Sequence, residues 1–270
     1  MNSRSPDPLQ QLLTSLSTSS KYRHLSPDLI RAIGAEELEK RKQLKAAIKA
    51  TKAKLHQIGG AYLASPPNYQ QWRQELVHAS GHSTDLRTTC QRLMNHHLST
   101  RERIPILEPF YQTLFQHLPP IHSVLDLACG LNPLAVPWMS LSPGVTYYAC
   151  DIYVDMMEFI ADALQIMGIG QQTWVQDISH TCPQLTIDVA FLLKTLPCLE
   201  HQQKYSGLDL LRGLRTSHLV VSFPAHSLTG KSKGMLTSYD RQFRAMIRDE
   251  GWSIQQFCFA TEMVYIVTKP

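Results

Sequence analysis

The chain has 270 residues, of which 43% are hydrophobic and 18% charged, and a formal net charge of +4. That length suits one large or two modest domains with a real core. No apolar run approaches the roughly 18 to 20 residues of a membrane span, and the Ser- and Gln-rich N-terminus lacks the apolar centre of a signal peptide, so a soluble cytoplasmic protein is expected and a membrane protein is not.

Residues 1 to 20 read as loose, although Leu9, Leu12, Leu13 and Leu16 recur as the apolar side of a first helix. Ser26-Pro27-Asp28 is an N-cap followed by proline at the first helical position, which predicts a helix to about Ala35. A basic helix follows to Gln57. Lys40, Arg41, Lys42, Lys45, Lys49, Lys52 and Lys54 occur there with no acidic residue between them, while Leu44, Ile48 and Leu55 supply an apolar side. An unbroken cationic face repels itself unless a polyanion meets it, so nucleic acid is the preferred partner and a merely solvated helix the alternative. Gly59-Gly60 ends that helix, Ser65-Pro66-Pro67-Asn68 is a turn, and a further helix begins near Tyr69. Helical pattern then covers 84–96 and, after Ser99-Thr100 as a cap, 101–117. Pro119-Pro120 closes the helical part.

From His122 the period alternates between strand and helix. Strands are expected near 123–127, 146–150, 173–176, 187–193 and 218–223, with helices near 153–167, 199–213 and 236–249. Ser253 to Ala260 and Met263 to Thr268, separated by Thr261-Glu262, read as a hairpin. The result is an α/β doubly wound, mostly parallel sheet of seven strands with a reversed edge, behind an all-α N-terminal part.

Chemistry gathers at the strand ends, where such sheets bind ligands. Val124-Leu-Asp-Leu-Ala-Cys-Gly-Leu-Asn-Pro-Leu134 runs a strand into a turn at Asp126 and Gly130, and glycine admits a close backbone approach. Asp151, ending the next strand, suits the two hydroxyls of a ribose, and Asp177 after the third suits an adenine amino group. The turn has one glycine and then Asn132-Pro133, so it lacks the amides a pyrophosphate needs. S-adenosyl-L-methionine, a nucleoside without phosphate, fits better. The six cysteines (Cys90, Cys129, Cys150, Cys182, Cys198, Cys258) form no Cys-x-x-Cys pair and read as reduced, mostly buried thiols. His78 with His82, and His96 with His97, lack completing ligands, so no metal is expected.

Six blocks carry a resemblance over nearly the whole chain: 21–28 (Lys-Tyr-Arg-His-Leu-Ser-Pro-Asp), 54–62, Ser99-Thr-Arg-Glu-Arg103, 125–133, Lys194-Thr-Leu-Pro197 and 222–235. In these the chain resembles the aminoglycoside-resistance 16S rRNA methyltransferases of the Arm/Kgm group, which methylate N7 of a guanine in the decoding A site of the 30S subunit. The resemblance implies a Rossmann-like class I S-adenosylmethionine-dependent fold at 99–270 behind a helical rRNA-docking domain at 1–98, acting as a monomer.

It further implies that Arg103, with Thr100, holds the methionine carboxylate. Asp126 orders the turn, Ala128 and Gly130 lie against the cofactor, Asp151 with Ile152 binds the ribose, and Asp177 with Ile178 binds the adenine. Leu193, Lys194 and Leu196 belong to the wall between cofactor and target base. Lys21, Lys45, Lys49, Lys52 and Lys54, together with His226, Lys231 and Lys233 of the 224–235 loop, are offered to rRNA. His226 stands where the family usually has Lys or Arg, and a neutral histidine weakens a phosphate contact. Guanine N7 needs no general base, so catalysis reduces to positioning. Phe223 and Met235 are candidate platforms for an unstacked base, Phe223 being alternatively a core residue. Adenine N1 as target, a catalytically silent ribosome-binding protein and a small-molecule methyltransferase are the competing readings.

Overall fold

The computed structural model describes residues 7–60, 62, 66–200, 207–225 and 234–270. The N-terminal part is helical: α1 (Pro8–Ser17), α2 (Pro27–Lys40), α3 (Leu44–Leu55), α4 (Tyr69–Ala79) and α5 (Ser83–Met94). Ser26 caps α2 by accepting from the Leu29 amide, and Asn68 caps α4 by accepting from the Gln71 amide at 3.2 Å. Helix α2 outruns its expected end at Ala35 by five residues, and the basic segment therefore begins inside it. A π turn, His56–Gly60, carries α3 into the double glycine.

The helix expected over 101–117 is broken. It forms α6 (Leu98–Arg103), a 3-10 turn Ile104–Ile106 and α7 (Leu107–His117). Pro105 has no amide to donate and forces the interruption. Ser99 and Thr100 accordingly lie within α6, behind His97 at its N-cap, instead of capping the helix.

The sheet consists of β1 (Ser123–Leu127), β2 (Thr146–Asp151), β3 (Gly170–Val175), β4 (Val189–Leu193), β5 (His218–Pro224), β6 (Ser253–Cys258) and β7 (Glu262–Thr268), in the order β3-β2-β1-β4-β5-β7-β6. All pairs are parallel except those made by β7. Helices α8 (Val154–Ile166), α9 (Leu196–Glu200), α10 (Gly207–Gly213) and α11 (Met235–Met246) complete the described elements. The apolar runs of β1, β4 and β5 are covered on both faces, as buried parallel strands require. From β1 the chain winds outward through β2 and β3, then returns to β4 on the other flank. The crevice therefore opens at the carboxyl ends of β1 and β4.

Successive β1 residues serve opposite faces: Val124 belongs to one core and Leu125 to the other. The core on the Val124 side takes in α7, α8 and, without a break, the N-terminal helices through Leu12, Trp72 and Leu93. Phe159 of α8 stacks on Tyr69 at 4.9 Å between ring centres and meets Trp72 edge-on at 5.5 Å. The other core is closed by α9, α10 and α11. Among the described residues no helix is long and apolar enough to cross a membrane.

Because the N-terminal helices share a core with one face of the sheet, Phe159→Ala should destabilise both halves together by about 3–5 kcal/mol. The expected result in urea is one transition at a lower midpoint, followed by both tryptophan fluorescence and circular dichroism. Two separate transitions would contradict a shared core.

Candidate active site

The two non-glycine residues with positive φ among those described sit at the mouth of the crevice: Ala128 (φ 49°) just after β1 and Lys194 (φ 60°) just after β4. Such conformations cost of order 1–3 kcal/mol each and persist where surrounding contacts fix them. In the β1 turn the Cys129 amide donates to the Cys150 carbonyl and the Asn132 amide donates to the Cys129 carbonyl. Gly130 (φ 53°) donates its amide to Asp151 Oδ2 at 2.9 Å, and the Ile152 amide donates to Asp151 Oδ1 at 2.7 Å. Each Asp151 oxygen thus keeps lone-pair capacity for an incoming hydroxyl. Burial pushes the Asp151 carboxyl up and these backbone donors pull it down, leaving it raised.

Gly130 has a second role that the sequence did not reveal. A Cβ there would lie 2.8 Å from His97 Cε1, so the missing side chain is what lets the His97 ring sit on the turn. The other ring contact of His97 is Tyr62, stacked at 5.8 Å and 12°. Burial first, then the Lys194 and Arg103 charges, lower the His97 pKa to about 4, so the ring is neutral.

Asp126 lies beneath the turn. Its Oδ2 accepts from Asn132 Nδ2 and Tyr147 Oη, both at 2.8 Å, while its buried Oδ1 has no hydrogen-bond partner. Burial pushes its pKa up to about 7. Asp177 accepts the Ser179 amide on Oδ1, whereas its buried Oδ2 has no hydrogen-bond partner. A carboxylate oxygen beyond β3 with no hydrogen bond, 3.5 Å from His180 Nε2, a strand-end carboxylate with spare lone pairs and a sharp turn fit a nucleoside with an exocyclic amino group and ribose hydroxyls. Ile178, Leu193 and Leu196 are buried nearby as apolar walls, and Ile152 is half-buried.

Arg103 is not held open for a ligand as the sequence reading supposed. Its Nε donates to Glu262 Oε2 at 3.0 Å, its Nη2 to Glu262 Oε1 at 2.7 Å and its Nη1 to Asn132 Oδ1 at 2.7 Å. Two guanidinium N–H groups remain uncommitted by these bonds. Thr100 is fully buried, and its hydroxyl is committed within the chain, donating to the Met94 carbonyl at 2.6 Å. Glu262 also accepts from the Ser222 hydroxyl, and Lys194 Nζ lies 3.5 Å away while donating to Glu102 Oε2 at 2.7 Å. Burial would raise the Glu262 carboxyl, but the Arg103 and Lys194 charges outweigh it and hold it below its ordinary value. The sequence reading placed Glu262 in a turn. Its register in β7, opposite Pro224, carries it into the site instead.

Phe223 is a core residue, 5% exposed and packed on Tyr239, Phe243 and Tyr265, so it cannot stack on a base. Met235, half-buried at the start of α11, remains available, as does the half-buried Tyr62. His226, Lys231 and Lys233 lie outside the described residues.

The cationic face is also smaller than expected. Lys54 reaches Glu37 at 2.6 Å and Glu36 at 3.3 Å, Lys40 pairs with Glu36 and Arg41 with Glu37. The acids absent from the basic run are supplied by α2, folded against it. Lys42, Lys45 and Lys49 stay exposed, Lys52 is half-buried, and Lys21 is exposed beside the Tyr22 ring. This helix is linked through residues 22–26 to the end of β2, where Asp151 lies. Tyr22 Oη donates to the Lys52 carbonyl at 3.2 Å, and the Ser26 amide donates to the Ile152 carbonyl at 2.8 Å, next to Asp151.

A seven-stranded mixed sheet of this order, with its acidic strand ends around one sharp turn, is a Rossmann-like class I methyltransferase fold. Residues 18–266 match the family described as ribosomal RNA methyltransferase (FmrO). The chain is 38% identical over 267 residues to the 16S rRNA (guanine(1405)-N(7))-methyltransferase of Micromonospora echinospora, covering 97% of each chain. It superposes on the solved structure of 16S rRNA methyltransferase RmtF in complex with S-adenosyl-L-homocysteine with a TM-score of 0.84, at 28% identity, covering 99% of this chain and 100% of that one. For the 16S rRNA methylase RmtB the TM-score is 0.78 at 30% identity, covering 97% of this chain and 98% of that one. The chain belongs to the FmrO family of ribosomal RNA methyltransferases.

Two carboxyls of the site should act oppositely on stability as pH changes. Glu262 is lowered in the folded state, so its contribution is present above its unfolded pKa and lost as pH falls through the folded value. Asp126 is raised to about 7, so its contribution is present at acid pH and lost as pH rises through 7. Thermal melts from pH 4 to 8 should therefore show Asp126→Asn gaining on wild type as pH rises. Glu262→Ala, which strands the buried Arg103 while Lys194 keeps Glu102, should cost about 3–5 kcal/mol at neutral pH.

Proposed function

We propose that this protein is a 16S rRNA (guanine(1405)-N(7))-methyltransferase. On this reading it transfers a methyl group from S-adenosyl-L-methionine to N7 of a decoding A-site guanine in the 30S subunit and so confers aminoglycoside resistance. The observation that carries the reading is end-to-end similarity, 38% over 97% of both chains, to a relative that bears this name. The RmtF structure, solved with the product form of the same cofactor, supports the choice of donor. We assign rRNA docking to residues 1–98 and the methyltransferase unit to 99–270, with a monomer acting in the cytoplasm and no metal involved.

Asp151 takes the ribose, Asp177 with Ile178 takes the adenine, and Ala128, Gly130 and Ile152 line the turn. The spare N–H groups of Arg103 face the methionine carboxylate, with Glu262 setting the guanidinium plane. When bound, the cofactor supplies a methyl group on a sulfonium, which an unshared ring-nitrogen pair accepts with no prior proton loss. The chain's own task is therefore to hold the base in line and exclude water, a contribution of about 7–11 kcal/mol when orientation is good. No general base is needed, and neutral His97 keeps positive charge away from the turn. Lys194 and Leu196 wall the base side, and Tyr62 and Met235 replace Phe223 as the groups that meet an unstacked guanine. Lys21, Lys45, Lys49 and Lys52 supply phosphate contacts, and Lys231 and Lys233 extend them; Lys54, held by two glutamates, contributes less.

Purified protein incubated with 30S particles and labelled donor should label 16S rRNA at one guanine, revealed by strand cleavage after borohydride and aniline. Expression in a susceptible bacterium should give growth on kanamycin and gentamicin but not on apramycin; apramycin resistance would point to adenine N1. Lys45, Lys49 and Lys52 changed together to Glu should abolish labelling while leaving cofactor affinity by calorimetry within twofold of wild type. Asp151→Ala should weaken cofactor binding at least tenfold, and normal binding by that variant would refute the assignment of the crevice.

A further inference from the structure

One buried amide bonds both to Asp126 beneath the turn and to Arg103, and has been assigned no role. Asn132 is 2% exposed and sits at the end of the β1 turn, where its backbone amide closes the turn on the Cys129 carbonyl. Its Nδ2 donates to Asp126 Oδ2 at 2.8 Å. Its Oδ1 accepts from Arg103 Nη1 at 2.7 Å and from Tyr111 Oη at 2.5 Å. The amide orientation is fixed by these neighbours: flipped, it would set oxygen against the Asp126 carboxylate and an N–H against the guanidinium.

A side chain at this point must donate to an anion and accept from a cation at once. Asparagine does both with a short, rigid reach. Aspartate would oppose two carboxylates, and leucine would leave the guanidinium and the carboxylate each short of a partner in a buried site.

We infer that Asn132 is the positioning residue of the donor site, the single group that fixes the Arg103 guanidinium relative to the turn carrying Gly130 and Asp151. The inference rests on the reading of that crevice as the S-adenosyl-L-methionine site. Ribose and methionine ends of one ligand are then gripped by elements whose separation one amide sets. Arg103 comes from α6, on the N-terminal side of the chain, whereas Gly130 lies in the turn after β1 and Asp151 ends β2. The Glu262 bond secures Arg103 to β7 but not to the turn; among the described hydrogen bonds of the guanidinium, the one to Asn132 makes that link.

The charged and titratable groups facing position 132 are Asp126 from β1, Arg103 from α6, Tyr111 from α7 and Tyr147 from β2, with Asp151 and Glu262 one contact further out. In Asn132→Asp the bonds to Arg103 and Tyr111 survive. The former donor, however, becomes an oxygen against Asp126, and two carboxyls at that distance share one proton, binding it tightly at low pH and losing it as pH rises. The variant should therefore repair its own defect on acidification.

The test is calorimetric binding of S-adenosyl-L-homocysteine, a stable probe, to wild type and Asn132→Asp at pH 6 and pH 9, alongside melting temperatures. The expected result is a variant within threefold of wild type at pH 6 and at least tenfold weaker at pH 9. A loss of the same size at both pH values, or no loss at either, overturns the inference. Should wild type itself fail to bind the probe, the reading of the crevice falls instead. If Asn132→Asp does not fold, Tyr111→Phe carries the test by removing one of the two donors to Oδ1. Affinity several-fold weaker at an unchanged melting temperature sustains the inference, and unchanged affinity overturns it.

Discussion

The buried pair of Arg103 and Glu262 is the constraint on which the site is built. A fully desolvated guanidinium and carboxylate are tolerable only with near-ideal geometry and with the leftover donors and acceptors satisfied. Here the pair is bidentate, Asn132 and Ser222 take the spare valences, and Lys194 stands beside the carboxylate. Breaking any one member strands charge in the interior, so α6, β5, β7 and the β1 turn are held in fixed relation. Burial, with the nearby Arg103 and Lys194 charges, also keeps the His97 ring neutral.

Around this anchor the polypeptide bends where ligands are to be met. Ala128 and Lys194 take up left-handed conformations at the ends of adjacent strands, at the point where the sheet's winding reverses. Strain there is sustained by backbone bonds on both sides, such as the Lys194 amide donating to the Ser222 carbonyl and hydroxyl. The helical N-terminal part is no separate appendage. It shares one core with the sheet, and its segment 24–26 bonds to 152–154, next to Asp151. The helical part and the strand-end crevice thus abut through a few backbone hydrogen bonds.

Much of the fold was legible because it depends on local periodicity. Alternating strands and helices from 123 onward, the antiparallel end, the Ser26 cap, the turn before Tyr69 and the acids at the ends of β1 and β2 all follow from residue pattern. What misled were places where distant residues decide. Three of the seven cations looked uncompensated because their acids precede the run: Lys40 and Arg41 pair four residues back with Glu36 and Glu37, and Lys54 meets both across the helix pair. Phe223 looked like a platform because a strand-end aromatic reads the same whether it faces a cleft or Tyr239, Phe243 and Tyr265. The internal partners of Thr100 and Arg103 were hidden because neither Met94 nor Glu262 is predictable as a partner from spacing.

By itself, then, the sequence determined the element types, the sheet class, the strand-end acids and the absence of a phosphate cradle, since these rest on backbone propensity and on side chains a few residues apart. Tertiary structure alone decided which charges are spent internally, what fills the space above Gly130 and how Glu262 reaches Arg103. The physical reason is that the pairing of a buried ion is set by desolvation and by three-dimensional proximity. Residues 103 and 262 meet only after the whole sheet has closed between them.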